Sequence, residues 1–187
     1  MEHDVKIQLL VEQVAVLNDT ASFEKLFHIY YGKLHRFAYA IIRDQQFAEE
    51  VVSDVFVNLW RNRSKLLEIE NLNNYLYTAT KNLAIRSCTK LNRMQQFTPG
   101  DIVLEADETA PNPEDILLGN ELLRRYEAAV SGLPTKCRTI YRLAKQDGLK
   151  YKEIATILSI SVKTIDAQLA IAVKKITQAM KFSYTDN

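Results

Sequence analysis

Apolar residues recur at helical intervals over most of the chain. Near the C-terminus Ile154, Ala155 and Leu158 make one short stripe. Ile165, Leu169, Ala172, Val173 and Ile176 make a second. Spacing by threes and fours marks each as one face of a helix. Between them Ser159-Ile160-Ser161 breaks the pattern. Ile160 can plug the corner, and the Ser161 hydroxyl can accept an orphan N–H of the helix that restarts. Thr164 stands where a full capping box would have Glu or Gln. Two short helices with a tight turn predict a helix-turn-helix, although a helix hairpin that only builds a core reads the same way.

The outer face of the second helix separates these readings. Lys163, Thr164, Ala167, Ala170 and Lys174 project away from the apolar stripe. Short side chains let a helix enter a major groove, where Lys and Thr meet base edges or phosphates. The helix N-terminus favours a phosphate as well. Such helices present their first residues to the bases, so Ser161 to Ala167 is the informative stretch.

The N-terminal half is helical by the same criterion. Phe23, Leu26, Phe27, Tyr30, Leu34, Phe37, Ala38 and Ile41 form a long amphipathic stripe. The next helix, in "QFAEEVVSDVFVNLWRNR", carries a broad band of Val51, Val52, Val55, Phe56, Leu59 and Trp60. A band that wide fits a helix central to a bundle, or one that shows part of its surface to a partner. A third helix is expected from about Asn74 to Asn92. Leu76, Ala79, Leu83 and Ala84 lie toward one side, and Thr78, Lys81, Asn82, Arg86, Thr89 and Arg93 toward the other. A polar, basic face suits a nucleic-acid backbone, with Asn82 able to read a base. Tyr75 and Tyr77 could stack on an unpaired base, with a core role for at least one of them.

Charge divides the chain further. The net charge is +1, but residues 121–187 carry +6 and residues 95–120 carry −6. A basic third is the electrostatic footprint of a nucleic-acid binder. The acidic stretch also holds three of the four prolines and marks a linker at about 95–112. Its charge could follow a basic channel of a partner, or fold back on the basic domain. Asn112 and Pro113 then signal a helix start, with Asn112 as N-cap. That helix is expected to run to about Val130, and the next, through Cys137, Ile140, Tyr141 and Ala144, to stop at Gly148. The fold expected is all-α, with two small helical domains, 1–94 and 113–187, joined by a flexible acidic linker. No apolar run is long enough to span a bilayer. The first residues lack a signal-peptide pattern. Cys88 and Cys137 are isolated, which suits packing roles in a reduced cytosol. His3, His28 and His35 show no metal spacing, and neither a nucleophile elbow nor a phosphate loop is found. No enzyme and no cofactor is expected.

Four blocks in order then carry a resemblance: "FEKLFHIYYGKLHRFAYAIIRD", "AEEVVSDVFVNLW", "YLYTATKNLAIRS" and "LPTKCRTIYRLAKQDGLKYKEIATILSISVKTIDAQLAIAVKKI". From about Ala21 to Lys175 the chain resembles bacterial sigma factors, and its compact length resembles the extracytoplasmic-function (ECF) group. The resemblance implies a cytoplasmic protein that binds core RNA polymerase and directs it to promoter DNA. It implies polymerase docking through Glu50, Ser53, Asp54, Phe56 and Trp60. Ser53 departs from the Gln usual in the family. Asn74, Lys81, Asn82 and Arg86 are implied for the downstream (−10) element, with Arg86 where many relatives carry an acid. Ser161, Lys163, Thr164, Ala167 and Lys174 are implied for the upstream (−35) element. Ser159 replaces a Gly often found in that turn, which implies a strained or differently shaped corner. The resemblance also implies an anti-sigma factor, one linked to the membrane. The rival class is a stand-alone helix-turn-helix regulator gated by a ligand or partner, which would bind DNA without polymerase.

Overall fold

A computed structural model describes residues 2–92 and 119–182. The acidic stretch at 95–112 and the helix start at Asn112-Pro113 lie outside the described residues. The chain divides into two compact units, Met1–Ile102 and Val103–Asn187. The described residues are helical, without a strand.

The first unit contains α1 (Glu2–Leu17), α2 (Thr20–Ile42), α3 (Gln45–Arg61), a 3-10 turn (Arg63–Glu68) and α4 (Leu72–Asn92). Local chemistry sets the corners. Asp19 caps α2, accepting from the N–H groups of Ala21 and Ser22 at 3.2 and 3.1 Å. Arg43 ends α2 in the left-handed conformation (φ 59), and Asp44 at once caps α3 through the Phe47 N–H at 3.0 Å. Two residues therefore suffice to reverse the chain. Asn71 caps α4 through the Asn74 N–H at 2.8 Å, which starts this helix before Asn74.

The core lies where α2, α3 and α4 meet. Leu26, Leu34 and Ala38 of α2 are fully buried, with Val52 and Leu59 of α3 and Leu76 and Ala84 of α4. Burying a Leu or Val side chain contributes about 1.5–3 kcal/mol. Tyr77 is also core, edge-on to Phe37 with centroids 5.3 Å apart. α1 has no counterpart in the sequence expectation. It buries Leu10, Val11 and Val14 and packs on α2 and the 3-10 turn.

The second unit holds α5 (Gly119–Ser131), α6 (Thr135–Tyr141), α7 (Tyr151–Leu158) and α8 (Val162–Phe182). α6 loosens into a π-helical turn at Arg142–Gln146, closed by Asp147 N–H to the Arg142 carbonyl at 2.9 Å. Gly148, at φ 77, then turns the chain as expected. Cys137 is buried and its thiol donates to the Gln168 carbonyl at 3.2 Å, tying α6 to α8. Burial pushes that thiol up from its ordinary pKa. Tyr141 is pushed up to about 12 by burial, then by its hydroxyl contact with Tyr126 at 3.1 Å.

Two stripe assignments need correction. Val173 is 50% exposed, because α8 seats itself with Ile165, Leu169, Ala172 and Ile176. In α7 the inward residues are Ile154 and Ile157, while Ala155 and Leu158 are only half-buried.

Candidate functional site

α7 and α8 meet at a bend of 108°, within the range of a helix-turn-helix. Ser159 makes the corner in the left-handed conformation, φ 56 and ψ 44. Its N–H donates to the Thr156 carbonyl at 3.3 Å, and the Ile160 N–H reaches back to Ala155 at 3.1 Å. This is a Schellman closure, usually made with Gly at that position. Ser161 then caps α8, its hydroxyl accepting from the Thr164 N–H at 3.0 Å. The two hydroxyls of Ser161 and Thr164 also pair at 2.8 Å. The Thr164 hydroxyl thus meets the capping side chain, whereas a Glu or Gln there would accept from the Ser161 backbone N–H. Lys163, Ala167 and Lys174 are exposed on the side opposite the buried stripe. Ile171, 42% exposed, lies among them and was not anticipated.

In the first unit α4 presents Asn82 and Arg86 on one exposed strip, four residues apart. Lys81 is half-buried, on the same side of the helix as Asn74 one turn pair earlier. Asn74 Oδ1 is buried and meets no hydrogen-bond donor. Its neighbour Asn73 accepts from the buried Tyr30 hydroxyl at 2.6 Å. Tyr75 is half-buried and remains on the rim, while Tyr77 does not.

α3 presents Glu50, Ser53, Asp54, Val57 and Arg61 on one exposed strip. Val57, 45% exposed, joins the sequence-predicted residues there. Phe56 does not. It is 3% exposed and packs on Phe27 and Phe23, with centroids 4.8 and 6.1 Å away. The breadth of the α3 apolar band is consumed inside the unit, where Val51, Val52, Val55 and Leu59 are buried as well. Trp60 is half-buried at the flank of the strip, against Phe23 at 4.9 Å.

Comparison with known proteins fits this division. Residues 26–94 match the family described as Sigma-70 region 2, and residues 123–176 match Sigma-70, region 4. The chain belongs to the sigma-70 family. Among relatives of this sigma factor, the ferric citrate uptake sigma factor FecI of Escherichia coli is 24% identical over 86% of this chain and 91% of its own length. The ECF sigma factor SigW of Bacillus subtilis is 24% identical over 89% and 92%. The chain spans 57% of the ECF sigma factor SigE of Mycolicibacterium smegmatis, at 23% identity over 79% of this chain. These relatives put the sigma factor in the ECF group. Its fold is shared with sigma factor RpoE, solved in complex with the anti-sigma factor NepR from Bartonella quintana, at a TM-score of 0.57 and 21% identity over 88% of this chain and 98% of that one. CnrH, solved in complex with the cytosolic domain of CnrY, gives a TM-score of 0.54 at 18% identity, over 94% and 97%. Among the described residues of the sigma factor, no single helix is long and apolar enough to cross a membrane.

Proposed function

We propose that this sigma factor docks on core RNA polymerase through the exposed strip of α3 and reads the two promoter elements with α4 and α8. The observation that carries the reading is the two-sidedness of α8. Its inner stripe is consumed by the core, and the N-terminal part of its outer side, Lys163 to Ala170, carries small and basic residues at a helix-turn-helix bend. Lys163 and Ala167, near the N-terminus of α8, are suited to base edges of the upstream element. Lys174 lies about 16 Å along the axis from Lys163 and about 10 Å from Ala167, too far to share the bases that Lys163 meets, and suits a phosphate. Thr164 contributes a methyl group and an oxygen already engaged with Ser161.

In the first unit Asn82 and Arg86 follow the downstream element. Opening that element is tipped by capturing an extruded base, which offsets a few kcal/mol of unstacking. Asn82, exposed on that strip, is suited to the edge of such a base, whereas Asn74 Oδ1 is buried and would have to open first. On α3, Glu50 and Asp54 offer carboxylates to the polymerase around Val57, with Trp60 at the flank. Ser53 leaves a shorter arm there than the Gln usual in the family. The chain supplies no bond chemistry of its own and works in the cytoplasm, where core polymerase is. An anti-sigma factor is its expected restraint, because a similar fold is seen in RpoE bound to NepR. Run-off transcription with purified core polymerase tests the whole reading. Promoter-specific transcripts should appear only when the protein is added. A protein that binds promoter DNA equally well without polymerase, and adds no transcript, would be the stand-alone regulator instead.

A further inference from the structure

The indole of Trp60 is positioned by a residue outside the docking helix. The Arg63 guanidinium carbon lies 4.6 Å from the centre of the Trp60 ring. The same guanidinium donates from Nη1 to the Trp60 carbonyl at 2.9 Å. Its Nε donates to Oδ1 of Asn18. Asn18 is itself left-handed, at φ 53, in the corner between α1 and α2. Arg63 therefore joins the aromatic ring, the last turn of α3 and the α1–α2 corner.

Only a planar fork can do these things together. Arg stacks by its face and donates in its plane, whereas Lys offers one mobile charge. The bond to the Trp60 carbonyl also satisfies one of the orphan acceptors at the α3 C-terminus, where a cation is favoured. A ring held in place before binding need not be ordered during it.

We propose that Arg63 is a positioning residue for polymerase docking. It sets Trp60 at the rim of the Glu50–Asp54–Val57 strip and makes α1, through Asn18, part of the docking apparatus. The proposal rests on the docking role assigned to α3 above.

The test uses the full chain. Trp60 is the only tryptophan, so fluorescence reports on that ring alone. Arg63→Lys keeps the charge and removes the fork. Asn18→Gly keeps the left-handed corner accessible and removes the acceptor. Each should raise acrylamide quenching of Trp60 in the free protein and weaken core polymerase binding, Arg63→Lys by about tenfold. Far-UV circular dichroism should stay unchanged. Combining Arg63→Lys with Trp60→Phe should cost no more affinity than the worse single change. Higher quenching with unchanged polymerase affinity would overturn the proposal, and so would full additivity in the double variant. Asp54→Lys separates the underlying reading. If that reversal leaves affinity unchanged, α3 is not the docking helix, and the role of Arg63 falls with it.

Discussion

Replacing Ser159 with Gly should make the second unit more stable without touching any residue proposed above to face DNA. Ser159 holds φ 56 and ψ 44 at the corner between α7 and α8. A side chain with a Cβ in that region costs about 1–2 kcal/mol, from which Gly is exempt. Gly also gives the unfolded chain more freedom, which takes back about 0.4–1 kcal/mol. The Schellman hydrogen bonds from Ser159 and Ile160 are made by the backbone, so both survive the change. Strain relieved less freedom regained sets the net gain at no more than about 0.5–1 kcal/mol. For a unit of this size that corresponds to a melting shift of about 3–6 °C. Hydrogen exchange on the full chain measures it with an internal reference. Amides around Ile154, Ile157 and Leu169 should exchange about 2–5-fold more slowly, while those around Leu34 and Leu59 stay as they were. Ser159→Val is the converse, because a β-branched residue is an outlier at positive φ. It should accelerate exchange in the same segments. If Gly leaves exchange unchanged or speeds it, the corner is not strained by its side chain and the argument fails.

Other expectations are more direct. Asp54→Lys should weaken core polymerase binding in a pull-down titration while altering stability by only about 0.5 kcal/mol, since Asp54 is exposed. Lys163→Ala should relax the preference at one or two upstream positions by about 1–3 kcal/mol each in a randomised-promoter selection, with downstream preferences intact. Lys174→Ala should weaken all sequences alike and reduce the salt slope of binding by about one. Ser161→Ala should destabilise the second unit by about 1 kcal/mol in thermal unfolding, and Ser161→Asp should restore most of it, because both Ser and Asp cap α8 well.

Where two apolar stripes were separated by a visible break, the sequence was a good guide. The α7–α8 corner and the Ser161 cap follow from contacts between residues at most five apart, and such contacts can be read from spacing. α1 was missed for the opposite reason. It buries Leu10, Val11 and Val14, but also exposes Val5, Leu9 and Val16, so no single face stands out. The role of Phe56 was misread because breadth of an apolar band does not say how many neighbours the helix has. α3 packs on both α2 and α4 and consumes the excess. Asn73 and Arg63 were not singled out, since their partners Tyr30 and Asn18 lie 43 and 45 residues away. No local pattern announces such pairs. The loosened turn of α6 was equally invisible, since Arg142–Gln146 has no residue that demands a π winding.

If the outer side of α8 reads promoter bases as proposed, the separation of its two sides bears on how new promoter preferences can arise. Lys163, Ala167 and Lys174 touch solvent, and the stability of the unit rests on Ile165, Leu169, Ala172 and Ile176. Changes on the outer side can accumulate one at a time, each intermediate still folding. A duplicated copy could drift toward its own set of target genes without passing through an unfolded ancestor. Thr164 is the exception, because its hydroxyl pairs with that of Ser161. Variation at that position removes the hydroxyl pair with Ser161 but leaves the cap itself, whose bond comes from the Thr164 backbone N–H.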